Sequence, residues 1–242
     1  MLEQIRRTIG EYNFAGQYQQ APSPLGGGIV KATWFRHYMP SELPQSFDRG
    51  VPSWDTANKA SELSDFSVCT SWGIKGKELY LIDVFRRRLE YPELKRAVCE
   101  QYEQFRPSVV LIEDKASGTQ LIQELTREGL YAVTRYKPQS DKVMRMHAQT
   151  AMIENGFVRL PEKAPWLAQY LNELTVFPDG RHDDQVDSTS QMLDWFKAGN
   201  VPSSNAGIFE YYRQLAGEAR ASPPRPEPLS VMARRLGILR PL

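Results

Sequence analysis

Residues 109–112, Val-Val-Leu-Ile, constrain the fold of this chain more than any other segment. A continuous apolar run of this kind is typical of a strand that is buried on both faces of a sheet. The run ends abruptly at Glu113, Asp114 and Lys115, so a charged group is expected where the strand leaves the sheet. The run therefore predicts an α/β fold with a candidate site at the carboxyl end of this strand.

The neighbouring segments predict a mixed sheet flanked by helices. A glycine-containing turn at 75–77 joins two β-rich runs into a hairpin. Strands are expected at 50–57, 66–74, 79–85, 109–112, 131–134 and 157–160. Helices are expected at 91–105, from 117 onward with Ser117 as its cap, and at 141–155, 166–174 and 183–197. Three antiparallel strands followed by parallel strands with crossover helices are the plan of the ribonuclease H-like fold.

Composition divides the chain into three parts. Residues 1–48 contain a proline- and glycine-rich stretch and three aromatic residues between 34 and 38 that need a partner surface, which predicts an N-terminal arm or linker. Residues 49–198 are expected to form the core domain. Residues 199–242 predict a C-terminal helix at 208–219 and a flexible, proline-rich tail.

Charge and hydropathy narrow the class of protein. The formal net charge is +1, from 30 basic and 29 acidic residues, so bulk charge does not favour a polyanionic partner. Nucleic acid remains open through local patches, since residues 135–145 hold four basic residues and one acid. The sequence holds two cysteines, and its first residues lack the continuous apolar stretch of a signal peptide. No apolar run comes near the ~20 residues that cross a bilayer. A soluble protein of the cytoplasm, without a membrane partner, is expected.

Acidic residues fall at three places where the predicted fold would present a side chain. Asp55 ends the first predicted strand and Glu113 ends the most apolar strand. The last core helix begins with Asp183, Asp184 and Asp187. In the predicted fold the first and fourth strands are neighbours and this helix packs over their ends, which would gather the carboxylates in one pocket. Taken singly, each acid also fits a helix cap or a turn.

Gathered carboxylates predict a site for divalent cations, which remove their mutual repulsion. Oxygen ligands suit Mg²⁺ or Mn²⁺. Two such ions about 4 Å apart would activate a water and stabilise the leaving oxygen of an in-line phosphodiester cleavage. The sequence has no cysteine or histidine pair at zinc spacing, no G-x-S-x-G motif and no G-x-x-x-x-G-K-[ST] phosphate loop.

The order of four motifs resembles a known family. The motifs are Ser-Trp-Asp-Thr-Ala at 53–57, Ile-Glu-Asp-Lys-Ala-Ser-Gly at 112–118, Asp141-Lys142 with Arg145, and His-Asp-Asp-Gln-Val-Asp-Ser at 182–188. Together they resemble the C-terminal nuclease region of the large terminase subunit of tailed bacteriophages, the motor that packages and cuts concatemeric DNA. The resemblance covers about 14–196, and the segment from Gln17 resembles the connection between the family's ATPase and nuclease.

This resemblance implies a ribonuclease H-like endonuclease that uses Mg²⁺ or Mn²⁺ and cuts double-stranded DNA with little sequence preference. Asp55, Glu113 and either Asp184 or Asp183 match the metal-binding acids, with Asp187 as a helper. The spacing does not decide whether Asp183 or Asp184 is the third metal ligand. Asp184 is preferred, and Asp183 is kept as the alternative. The candidate DNA contacts are Lys115, Lys137, Lys142, Arg145 and His182.

The resemblance also implies a phage or prophage origin and a place in the host-cell cytoplasm. Its candidate partners are the portal protein and the small terminase subunit. The family's N-terminal ATPase is missing from this chain, so it is expected on a separate chain or to have been lost. Two alternatives stay open: a Holliday-junction resolvase or transposase-like nuclease of the same fold, and a non-catalytic packaging component that binds DNA or the portal.

Overall fold

The computed structural model of the protein describes residues 28–57, 66–115 and 117–199. Within them the strands are β1 (Arg36–Tyr38), β2 (Arg49–Asp55), β3 (Ser67–Lys75), β4 (Glu78–Arg87), β5 (Val110–Glu113), β6 (Val133–Tyr136) and β7 (Val158–Pro161). The α-helices are α1 (Tyr91–Phe105), α2 (Ser117–Arg127), α3 (Lys142–Glu154), α4 (Leu167–Val176) and α5 (Asp184–Lys197). All seven strands form one sheet in the order β1-β7-β4-β3-β2-β5-β6.

The predicted mixed sheet is confirmed. Strands β2, β3 and β4 form an antiparallel meander, with Gly76 in the turn between β3 and β4 at a φ of +58°. Strand β5 then pairs in parallel with β2, and β6 in parallel with β5. The first and fourth core strands are therefore neighbours, which is the pairing that the sequence predicts for a ribonuclease H-like sheet.

Side chains alternate between the two faces of the sheet along each strand, which divides the interior into two layers. Val51 and Ser53 of β2 point to the face that α5 covers, whereas Trp54 packs on the other face with α1 and α2. Successive residues of a strand face opposite sides. Asp55 therefore shares the α5 face with Ser53, and Glu113 shares it with Leu111 of β5. The terminal acids of the two strands are thus turned to the helix that carries the aspartates.

The segment before residue 49 contributes to this sheet. Strand β1 pairs in parallel with β7, which pairs in parallel with β4, and sequence patterns missed β1. Phe35 and Tyr38 are buried, so the partner surface that the aromatics need includes this sheet itself. The predicted domain bounds at 48/49 and 198/199 stay predictions, and most of the predicted arm and of the C-terminal part lies outside the described residues, including the helix at 208–219.

Two local predictions need correction. Strand β6 runs two residues later than the predicted 131–134. Ser117 was expected to cap the second helix, but it is the first residue of α2, and its hydroxyl donates to the carbonyl oxygen of Ala57 at 3.0 Å. The side chain thereby ties the start of α2 to the chain that leaves β2. Among the described residues, no helix is long and apolar enough to span a bilayer.

Candidate active site

The centre of the site is the pair of acids that end β2 and β5. The register pairs Ser53 with Leu111 and Trp54 with Ile112, so Asp55 and Glu113 follow at the same edge of the sheet. The carboxyl group of Asp55 lies within hydrogen-bonding reach of Glu113. Parallel register, a property of the whole sheet, therefore brings together two acids that are far apart in the sequence.

Helix α5 adds further acids to this pair. They line one cleft together with neutral and basic residues: Asp55, Thr56, Ala57, Phe66, Glu113, Lys115, Lys142, Asp183, Asp184 and Asp187. The cleft has a volume of about 130 Å³. The predicted convergence of the three acidic segments is thus seen in the structure.

The electrostatics of the cleft favour the binding of a cation. Burial raises the pKa of Asp55 well above its ordinary value, and the charges of Asp187, Glu113 and Asp184 raise it further. Carboxylates that repel one another in this way lose that penalty when a cation lies between them. Burial also raises the pKa of Asp187, but Lys142 and Arg145 oppose this shift.

Basic side chains from α3 pair with two of the aspartates. The ammonium of Lys142 is hydrogen-bonded to Asp183 and lies 3.2 Å from Asp187. Nη2 of Arg145 lies 2.6 Å from Oδ1 of Asp187. Burial alone would lower the pKa of Lys142, but the contacts with Asp183 and Asp187 raise it. Lys142 therefore stays charged, and Lys142 and Arg145 together hold Asp183 and Asp187 on the α3 side of the cleft.

The structure separates Asp183 from Asp184, which sequence spacing does not. Asp183 occupies the N-cap position of α5, but its side chain makes no capping hydrogen bond and pairs with Lys142 instead. Asp184 is only 3% exposed, and its charge acts on Asp55. Asp184 is thus the member of the pair that belongs to the acidic centre with Asp55 and Glu113.

A buried polar network fixes α5 against the meander. The hydroxyl of Ser53 donates to the carbonyl of Ser188 at 2.8 Å, and the hydroxyl of Ser188 donates to the carbonyl of Ser53 at 2.7 Å. The amide of Thr70 donates to Ser188 Oγ at 3.1 Å, and Gln191 Nε2 donates to Ser53 Oγ at 3.0 Å. These bonds lie two residues from Asp55 and one from Asp187, so they set the distance between the strand acid and the helix acids.

The start of α2 closes the site from the other side. A Cβ on Gly118 would lie 2.1 Å from the carbonyl oxygen of Glu113, closer than any real contact. Only glycine therefore allows α2 to begin so near the end of β5. This contact gives a physical reason for the glycine in the motif at 112–118.

The predicted DNA contacts divide into exposed and buried groups. Lys115 is exposed at the cleft, and the side chain of Lys137 is 67% exposed, 3.8 Å from Asp114. Nδ1 of His182 lies 4.0 Å from Oδ2 of Asp184. Arg145, by contrast, is 8% exposed and directed at Asp187, so its place in the structure is that of a support for this acid.

Sequence patterns missed a second basic group at the cleft. The Arg86 guanidinium lies 3.5 Å from the centre of the Phe66 ring, and the Arg88 guanidinium lies 4.0 Å from it. Phe66 also meets His182 edge-on at 5.3 Å. The three consecutive arginines 86–88, directly after a predicted strand, were the available signal.

The donor chemistry of the cleft fits a hard divalent cation, because Asp55, Glu113 and Asp184 offer only oxygen. The geometry is not that of a completed site. Within 28–57, 66–115 and 117–199, no three acidic, histidine or cysteine side chains stand in metal-ligand geometry. The chain therefore supplies suitable ligands for such a cation.

Comparison with known proteins gives the family. A family model described as the terminase RNaseH-like domain matches residues 53–195, which include every acid of the cleft. The chain belongs to this terminase family. The resemblance that the motifs predict is thereby confirmed, as is the ribonuclease H-like fold. No curated protein matches the chain at a significant level.

Solved structures of other terminases share the fold of this domain. The large terminase of a thermophilic bacteriophage, in complex with ATP-gamma-S, superposes with a TM-score of 0.60 at 11% identity. That match covers 80% of this chain and 51% of the other, so the chain spans about half the length of that relative. The large terminase nuclease of the thermophilic phage G20c, solved with bound magnesium, has a TM-score of 0.53 at 15% identity, covering 71% of this chain and 98% of that one.

Proposed function

We propose that this chain is a metal-dependent endonuclease that cleaves double-stranded DNA, as the nuclease part of a phage or prophage large terminase. The observation that carries the proposal is the convergence of Asp55, Glu113 and Asp184 on one cleft at the end of the sheet. Family membership gives the general role, and the cleft gives the chemistry. The expected setting is genome packaging in the host-cell cytoplasm, with the portal protein, the small terminase subunit and an ATPase domain as partners.

Asp55, Glu113 and Asp184 would hold the divalent cation, with Asp187 beside them. The G20c nuclease, which shares the fold, was solved with bound magnesium and with bound cobalt, which supports a divalent cation here. Two Mg²⁺ ions or two Mn²⁺ ions would activate a water and neutralise charge at the phosphate. Asp183, which pairs with Lys142, is excluded from the ligand set that we propose.

The basic residues of the cleft have separate tasks in this proposal. Lys115 and Lys137 are exposed and bind DNA phosphates, and Lys142 and His182 line the approach to the acids. Phosphate contacts of this kind orient the duplex without reading its sequence. Arg145 acts on Asp187 and keeps this carboxylate turned toward the cleft.

Cleavage of supercoiled plasmid tests the proposal. With Mn²⁺ the purified chain should give nicked and linear DNA, and EDTA should abolish this. Asp55→Asn, which keeps the size of the side chain, should slow cleavage more than about 100-fold, beyond the loss typical of residues that only support a metal ligand. The matched control is Asp179→Asn, at an exposed aspartate outside the cleft, which should cleave like the parent.

Three results would contradict the proposal. Cleavage that survives both EDTA and Asp55→Asn would exclude the metal mechanism. DNA binding without divalent-cation binding or cleavage would instead indicate a non-catalytic packaging component. Four-way junctions cut much faster than plain duplex would favour a resolvase of the same fold.

A further inference from the structure

The end of β4 carries a basic cluster at the same edge of the sheet as the acids. Asp55 is in register with Val68 of β3, and Val68 is in register with Arg86 of β4. Arg86 therefore lies level with Asp55, two strands away. Arg88 follows immediately after β4 and is exposed.

Phe66 is clamped between two of these arginines. Their guanidinium carbons lie 3.5 Å and 4.0 Å from the centre of its ring. Non-bonded carbon atoms stay about 3.5–4.0 Å apart, so the two groups do not fit over the same face of one ring. The ring is therefore sandwiched, which leaves its faces closed to a stacked base and its edge against His182.

This sandwich is anchored in the interior through Arg86. Nη2 of Arg86 lies 3.6 Å from Glu173 of α4, and the side chain of Arg86 is only 11% exposed. Glu173 in turn accepts hydrogen bonds from the backbone amide of Gln185 at 2.6 Å and from its side chain at 2.5 Å. Arg86 thus fixes Phe66, which lines the cleft, and Phe66 in turn holds the outer arginine, Arg88, against its ring.

The strand order gives this cluster a specific position. The acids end the adjacent strands β2 and β5. On one side, β4 lies two strands from β2, and on the other side β6 lies next to β5. Lys137 follows β6. From β4 to β6 there are four strand spacings of about 4.8 Å, or about 19 Å. That length matches between five and six phosphates of one DNA strand at about 3.4 Å each.

We propose that Arg88, held by Phe66 and Arg86, is a second phosphate-binding site for the DNA backbone. It lies across the acidic cleft from Lys137, so a DNA strand that crosses the end of the sheet meets a positive charge on each side of the acids. This inference rests on the proposed function. It adds a substrate contact that comes from β4, outside the four sequence motifs.

The chain offers a matched control in Arg87. This residue has the same charge and is also exposed, but its guanidinium lies 5.2 Å from the ring of Phe85. Phe85 packs against Trp54 in the layer of α1 and α2, on the opposite face of the sheet. Arg87 therefore points away from the cleft.

The test is the salt dependence of binding to a fluorescent 25-base-pair duplex in EDTA, followed by anisotropy with the full chain. Each phosphate contact contributes about 0.9 to the slope of log affinity against log salt. Arg88→Ala should bind more weakly than the parent and lose about 0.9 of slope. The ratio of parent affinity to Arg88→Ala affinity should fall about 3.5-fold between 50 and 200 mM salt. Arg87→Ala should keep the parent slope, and both variants should keep the parent melting temperature.

The outcomes separate this inference from the proposed function. A parent slope in Arg88→Ala, or an equal loss of slope in Arg87→Ala, would overturn the inference, even if Asp55→Asn abolishes cleavage. A loss of slope confined to Arg88→Ala would support the inference whatever the cleavage result, because the experiment measures DNA binding. Absence of cleavage by the parent chain would count against the proposed function alone.

Discussion

Arg145 and Asp187 form a close ion pair beneath the cleft, with Nη2 and Oδ1 2.6 Å apart and the side chains 8% and 13% exposed. Removing one partner of a buried pair leaves the other charge without compensation. This relationship makes Arg145 a residue that supports an acid of the site, whereas a surface cation would act on the substrate.

Arg145→Met should therefore destabilise the protein. The expected loss is about 3 kcal/mol of unfolding free energy, measured by urea denaturation, since among the described residues the cation left beside Asp187 is Lys142 at 3.2 Å. The double variant with Asp187→Asn should recover part of the loss, because it removes the buried carboxylate that has lost Arg145. A change below about 0.5 kcal/mol, which is typical of surface positions, would contradict the pairing.

Ser188→Ala should loosen α5 from the meander. The change removes the donor to the carbonyl of Ser53 and the acceptor of the Thr70 amide, both buried, and should cost about 1–3 kcal/mol. The control is Ser190→Ala, because the hydroxyl of Ser190 bonds within the helix, to the carbonyl of Asp187 at 3.1 Å. Equal losses in the two variants would contradict a special role for the Ser188 contacts.

Asp184→Asn and Asp183→Asn should have unequal effects on cleavage. Asp184 is buried beside Asp55, whereas Asp183 is paired with Lys142. Asp184→Asn should slow plasmid cleavage in Mn²⁺ by more than about 100-fold, and Asp183→Asn by no more than about tenfold. The reverse order would move the third metal ligand to Asp183.

Asp83 should make stability depend on pH in a way unusual for a carboxylate. Burial raises its pKa above the ordinary value, although the backbone of Val84 and the side chain of Trp166 partly oppose this. The folded protein therefore holds the proton more tightly than the unfolded chain, so this contribution to stability falls as the pH rises from about 4 through the raised pKa.

Asp83→Asn removes this titration. The variant should be more stable than the parent at pH 7, and its advantage should diminish toward pH 4, as measured by urea denaturation across that range. An advantage that is constant with pH, or a loss of stability at pH 7, would show that Asp83 is ionised in the folded protein without penalty.

Much of the fold follows from local patterns. The run at 109–112 predicts a central strand because four apolar residues in sequence need cover on both faces, and the turn at 75–77 predicts the β3–β4 hairpin. Strand β1 was missed because its three residues, Arg36–Tyr38, carry no alternation, and only pairing with the distant β7 makes them a strand.

The candidate site also has residues that local patterns predict and residues that they do not. Asp55 and Glu113 could be predicted because each ends a recognisable strand, and parallel pairing then brings them together. The difference between Asp183 and Asp184 could not be predicted, because it depends on which of two consecutive side chains contacts Lys142 of α3. The sandwich of Phe66 between Arg86 and Arg88 was equally hidden, because it joins the start of β3 to the end of β4.

The most direct measurement is an anomalous-scattering map from crystals of this chain soaked in Mn²⁺. One or two peaks within ligand distance of the oxygens of Asp55, Glu113 and Asp184 are predicted, and they should vanish in Asp55→Asn crystals. Peaks only at Asp183 or elsewhere, or no peak in a cleft left open by the lattice, would contradict the shared-cation site on which the proposed function depends.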